Sequence, residues 1–159
     1  MDETSYRKFL SRKIDCSDRS GIECTDMPST MKPHQADATR FALKIGRAGL
    51  YLSTGLGKTF CELEFSKQAA EASNGYALIL APLAVAKQFK REGAKFGYEV
   101  NVIRDQSEVR DGINVCNYDR LEKLDTSHFG SVALDESSLL KSFTGKTSRA
   151  LRDFYHGLN

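Results

Sequence analysis

The sequence predicts an α/β fold: a mainly parallel sheet with helices on both faces. Three observations carry this. Five short apolar runs, AGLYLS (48–53), YALILA (76–81), EVNVI (99–103), INVCN (113–117) and SVALD (131–135), have the near-continuous apolar character of strands buried on both sides. The segments between them, TFCELEFSKQAAEA and AVAKQFKREGAKF above all, are long enough and suitably patterned for crossover helices. A chain of 159 residues, 40% of them hydrophobic, supports one continuous core.

Taken in order, residues 1–30 form an N-terminal helix followed by a polar connector. Tyr6, Phe9, Leu10 and Ile14 recur at helical spacing, and DCSDRSGIECTDMPST is rich in turn formers. The main unit spans 31–159. It opens with a helix at Pro33, since proline suits a first helical turn; Ala38, Phe41, Ala42 and Ile45 make its apolar stripe, and Gly46 ends it. The first strand, 48–53, leads through a glycine-bearing turn into the next helix. Shorter helical patterns follow near YDRLEKL and TSRALRDFY. No internal repeat or low-complexity tract interrupts the pattern.

Charge and cysteine usage narrow the functional classes. A net charge of +2 creates no global field that would draw nucleic acid, so any such site must be local. The apolar runs are too short for a membrane span and MDETSYRKFL lacks the core of a signal peptide, so a cytoplasmic location is expected. Cys16, Cys24, Cys61 and Cys116 form no close pair of the kind a zinc site needs, and are expected as free thiols.

Two motifs carry chemistry. In LYLSTGLGKTFCELEF, Thr54, Gly55, Leu56 and Gly57 form a turn whose backbone amides can approach a phosphate. Lys58 then supplies a counter-charge at the positive end of a helix, and Thr59 a hydroxyl for Mg2+. The full GxxxxGK[ST] pattern requires glycine where Leu52 stands, so only its later half, TGLGKT, is present. The bland alternative is a turn that caps a helix. The second motif is Asp135-Glu136, after the apolar Val132, Ala133 and Leu134 and hence at the carboxyl end of a buried strand, where open parallel sheets bind ligands. Asp135 is assigned to Mg2+, partly through water, and Glu136 to the attacking water, against the alternative of a solvated acidic turn. A second Gly-Lys-Thr, Gly145 to Thr147, follows LLKSF, which is too interrupted for a strand. It is expected as a turn into the last helix.

These motifs, in this order, resemble the RecA-like amino-terminal ATP-binding lobe of superfamily-two helicases and translocases, closest to Swi/Snf-like members of phage and prophage genomes. MKPHQADATRFAL resembles the segment whose glutamine reads adenine, which implies that role for Gln35, whose amide can donate to N7 and accept from the N6 amino group; Arg40 lies five residues on. ALILAPLAVAKQFKREGAKF resembles the motif that tracks a nucleic-acid strand, which nominates Pro82, Leu83 and Ala84; Lys87, Lys90, Arg91 and Lys95 add charge or form a solvated basic face. INVCNYDRL resembles the motif with an aromatic turn near the same track, at Asn117, Tyr118 and Asp119. The acidic motif reads DESS, with Ser137 and Ser138 in place of the last two residues of the DEAD and DEAH forms, and LDESSLLKSFTGKT as a whole looks like the phage-type version.

The resemblance runs from about Lys32 to Thr147. It implies ATP and Mg2+ as cofactors, Lys58 and Glu136 as catalytic groups, and DNA as partner, with RNA not excluded. A second RecA-like lobe, in cis or in trans, would supply arginines that Arg149 and Arg152 do not replace. Two other classes remain: a non-catalytic single-lobe module that binds nucleic acid or a partner helicase, and a small-molecule or nucleotide kinase. The kinase would need an arginine-rich lid and an acceptor pocket that are not visible.

Overall fold

The computed structural model describes residues 21–53 and 55–136. The expected helices near residues 1–14 and at TSRALRDFY, the second Gly-Lys-Thr, Thr54, Ser137 and Ser138 lie outside them. Three α-helices are described, α1 (Pro33–Ile45), α2 (Lys58–Glu71) and α3 (Leu83–Phe96), together with four strands, β1 (Tyr76–Ala81), β2 (Val100–Val102), β3 (Gly112–Asn117) and β4 (Ser131–Leu134). The strands form one sheet of order β2-β3-β1-β4, parallel throughout, with Leu80 opposite Cys116 on one side and Leu134 on the other. The α/β expectation therefore holds.

Period-two alternation divides β1 between two cores. Ile79 and Ala81 face α2 and α3, where Leu63, Ala86, Phe89, Val100, Ile113 and Val115 pack with them. Leu78 and Leu80 face the opposite way, against Cys116, Tyr118, Leu121, Leu124 and Phe129. Both faces thus carry helical cover of different kinds. One has two α-helices; the other has 3-10 turns at Tyr118–Lys123 and Thr126–His128. The pattern at YDRLEKL is helical as expected, but its six residues form a 3-10 turn, because Asn117 caps Asp119 and the apolar Leu121 and Leu124 must reach back to the sheet over a short span.

The expected first strand is a correction. Residues 48–53 run without strand pairing, Tyr51 is 96% exposed, and β4 ends the sheet on its side among the described residues. An apolar run becomes a strand only where a neighbour completes its hydrogen-bond ladder. AGLYLS has no such neighbour here. The helices match their expected bounds closely, with Gly46 ending α1 through a bond from its N–H to the Ala42 carbonyl. Residues 21–32 are tied to the same body: Ile22 N–H donates to the Leu43 carbonyl at 2.9 Å, and Thr25 N–H to Gln68 Oε1 at 2.9 Å. No helix among the described residues is long and apolar enough to cross a membrane.

Candidate phosphate site at the start of α2

Gly57 caps α2 in the left-handed region, with φ 79° and ψ 39°, and Gly55 has φ 84°. These angles let the chain turn sharply from Ser53 into the helix, where Leu56 N–H reaches the Ser53 carbonyl at 3.2 Å and Phe60 N–H the Gly57 carbonyl at 3.0 Å. A side chain at Gly57 would collide with its neighbourhood, since an ideal Cβ there lies 2.1 Å from Nε2 of Gln35. Gln35 is 7% exposed, and both ends of its amide are committed. Nε2 donates to the Leu56 carbonyl at 2.9 Å, and Oε1 accepts from Lys32 N–H at 2.9 Å.

Lys58 heads α2, and its ammonium forms an ion pair with Oδ1 of Asp135. Asp135 is 5% exposed and sits just past β4, where its N–H continues the ladder to the Leu80 carbonyl at 2.9 Å. The Lys58 ammonium is the group that meets Oδ1. Burial acts to lower the Lys58 pKa. The hydrogen bond and charge of Asp135, with smaller help from Glu62 and Glu136, outweigh it and leave the ammonium above its ordinary value. The sheet and the loop thus bring together the two motifs that the sequence separates by some eighty residues. Glu136 is exposed and has φ 54°, the positive-φ residue other than glycine among those described.

Glu62, one helical turn beyond Lys58, was not singled out from sequence. Its Oε2 is buried without a hydrogen-bond partner, and burial, reinforced by the charge of Asp135 and opposed by Lys58, raises its pKa to about 8. A Glu at i+4 of a helix reads as an ordinary surface partner for lysine. Only the packing of α2 against β4 reveals it as a carboxyl that competes with Asp135 for one ammonium.

The residues expected near a nucleic-acid track divide. Leu83 is 70% exposed and, with Asn117, Asp119, Arg120 and Lys123, lines a shallow hollow of about 380 Å³ at the carboxyl ends of β1 and β3. Tyr118 does not join them on the surface. It is 2% exposed, and its hydroxyl donates to the Asp135 carbonyl at 2.7 Å, which makes it a strut beneath the acidic pair. Arg120 and Lys123 are the cations at this hollow. Their 3-10 spacing, which eclipses i and i+3, was hidden by the α-helical reading of YDRLEKL. Cys24, Cys61 and Cys116 are free thiols, and no group of three His, Cys, Asp or Glu side chains among the described residues could hold a metal ion.

No protein-family model and no curated protein matches the sequence. Among solved structures, the chain is similar to the UvsW helicase from bacteriophage T4, with a TM-score of 0.66 and 20% identity over 100% of this chain and 57% of that one. The likeness is one of fold alone, a parallel α/β sheet of RecA-like type covered by helices. This chain spans little more than half of that helicase's length.

Proposed function

We propose that the chain is the ATP-binding lobe of an ATP-dependent DNA helicase or translocase of Swi/Snf-like, phage type, which binds MgATP and one nucleic-acid strand and hydrolyses ATP only with a second lobe. The observation that carries this reading is the convergence of the glycine turn, Lys58 and Asp135. A loop that presents backbone amides, a lysine at a helix start and a carboxylate at a strand end meet at one place on the sheet.

In this reading the Lys58 ammonium leaves Asp135 for the outer phosphates, exchanging one charge-assisted contact for another at modest cost. Asp135 is thereby freed. The oxygen donors then available, the Thr59 hydroxyl and the Asp135 carboxylate, suit a hard cation that takes its remaining ligands from phosphate and water, and would hold Mg2+, which neutralises charge on the transferring phosphoryl group. Glu136, exposed beside them, orients or deprotonates the attacking water. Tyr118 keeps the acidic pair in place through the Asp135 carbonyl. Nucleic acid would lie over Leu83 and Asn117, with Arg120 and Lys123 meeting backbone phosphates.

A turnover assay tests this. The 159-residue chain alone should bind MgATP yet hydrolyse it very slowly, because loss of an arginine finger costs about 10³- to 10⁵-fold in comparable phosphoryl-transfer systems. Robust hydrolysis by the isolated chain in the absence of DNA would overturn the need for a second lobe.

A further inference from the structure

We propose that the solvent face of α3 binds the sugar-phosphate backbone of nucleic acid, and so carries the footprint of the chain from the hollow at Leu83 along the length of the helix. This rests on the nucleic-acid reading above and extends it to residues outside that hollow. α3 lies on the sheet through Ala86, Phe89 and Gly93, all buried, with Ala86 and Phe89 in the core beside Ile79 and Val115. Gly93 approaches Val100 so closely that an ideal Cβ would meet its Cγ2 at 2.6 Å, which fixes the side of the helix that faces inward. Helical periodicity then puts Lys87, Arg91 and Lys95, four residues apart, in one row on the outward side. All three are exposed, and so is Lys90 beside them. The row begins one turn earlier at Leu83, which is 70% exposed and lines the hollow with Arg120 and Lys123.

Four cations against the single carboxylate of Glu92 give α3 a charge of +3, more than the +2 of the whole chain. The positive field that the chain as a whole lacks is thus gathered on one helix. Ion pairs among the described residues join Arg40 to Asp37, Lys58 to Asp135 and Lys67 to Glu71, and none of them involves α3. Glu92 is half-buried and already accepts from Gln88 Nε2 at 2.8 Å. A row of cations leading out of a hollow that holds two more suits a regular polyanion. From Lys87 to Lys95 the helix rises about 12 Å. A nucleic-acid strand carries one charge per roughly 3.4 Å of its axis, so a backbone laid along the row passes about three or four phosphates, enough to meet Lys87, Arg91 and Lys95 together.

The test measures binding of a labelled dT strand of about 20 nucleotides, and of a mixed-sequence duplex of about the same length, by fluorescence anisotropy at about 50 to 200 mM salt. The full chain is compared with three double variants, Arg91→Gln/Lys95→Gln, Lys44→Gln/Lys67→Gln and Arg120→Gln/Lys123→Gln. Arg91 and Lys95 are the cations of the row farthest from Leu83, while Lys44 and Lys67 are exposed on α1 and α2, so the first two variants lose equal charge from different faces. The α3 variant should bind at least about tenfold more weakly at the lowest salt. Its slope of log affinity against log salt should shrink by about 1.4 on the single strand or about 1.8 on the duplex, because two phosphate contacts are lost. The Lys44/Lys67 variant should stay within about twofold of wild type. A change confined to the duplex assigns the row to its second strand, and a change on both assigns it to the strand that occupies the hollow; either supports the proposal. Wild-type binding by the α3 variant, or a loss no greater than that of the Lys44/Lys67 variant, would overturn it and leave the face to solvent or to an acidic protein. That result with a loss in the Arg120/Lys123 variant would spare the hollow. Failure of the wild type to bind either oligonucleotide would instead refute the parent reading.

Discussion

Gly57→Ala probes the loop at its tightest point. The backbone there has φ 79°, in a region that costs an L-residue about 1–2 kcal/mol. The added methyl would also sit 2.1 Å from Gln35 Nε2, which forces the amide off the Leu56 carbonyl and forfeits a hydrogen bond of about 1 kcal/mol. Together these predict a loss of about 2–3 kcal/mol, seen in urea denaturation as a lower midpoint with an unchanged slope, or as a fall in Tm of about 5–10 °C. Because part of the loss passes through Gln35, the double variant with Gln35→Ala should be less destabilised than the two single losses combined, by about 1 kcal/mol. A Gly57→Ala protein within about 0.3 kcal/mol of wild type would refute the packing argument. Strict additivity with Gln35→Ala would refute the coupling.

Glu62 should give the metal-free protein a pH-dependent stability. Folding raises its carboxyl pKa from 4.5 to about 8, so between those values the native chain holds a proton that the unfolded chain has released. The Glu62 contribution to stability is then fully present below pH about 4.5 and is lost as pH rises toward 8, and Glu62→Gln should flatten that part of the slope and stabilise the protein at pH 8 by about 1–3 kcal/mol, measured by denaturation at both pH values. Glu64 is buried and accepts from Gln68 Nε2 at 2.6 Å and from the Tyr98 hydroxyl. Glu64→Ala strands both donors and should cost about 2–4 kcal/mol in the same assay. Burial first, and then the hydrogen bond and charge of Glu64, hold the Tyr98 phenol above its ordinary value. Its ultraviolet titration should therefore appear only as the chain unfolds.

How far the sequence could be read depended on whether a feature was local. Pro33 and Gly46 bound α1 by their own backbone preferences, and the buried strands at 76–81 and 113–117 announced themselves as uninterrupted apolar runs. The run at 48–53 has the same apolar character and failed, because a strand needs a ladder partner and composition does not reveal one. The same division holds at the site. Motif order singled out Lys58 and Asp135, each at the end of its own element, and the fold brings their side chains together. Tyr118 was expected in an aromatic turn near a nucleic-acid track, and its motif position gave no sign that the hydroxyl turns inward to the Asp135 carbonyl. Glu62 was invisible because its character comes from burial against Asp135 across the fold.

The claim that Lys58 and Asp135 close a phosphate site is tested most directly by calorimetric titration of MgATP into the wild-type chain and Lys58→Ala. The pairing of the ammonium with a buried carboxylate predicts saturable binding by the wild type and at least about a tenfold loss in the variant, the equivalent of one charge-assisted contact. Equal binding by the two proteins, or none by the wild type, would contradict it.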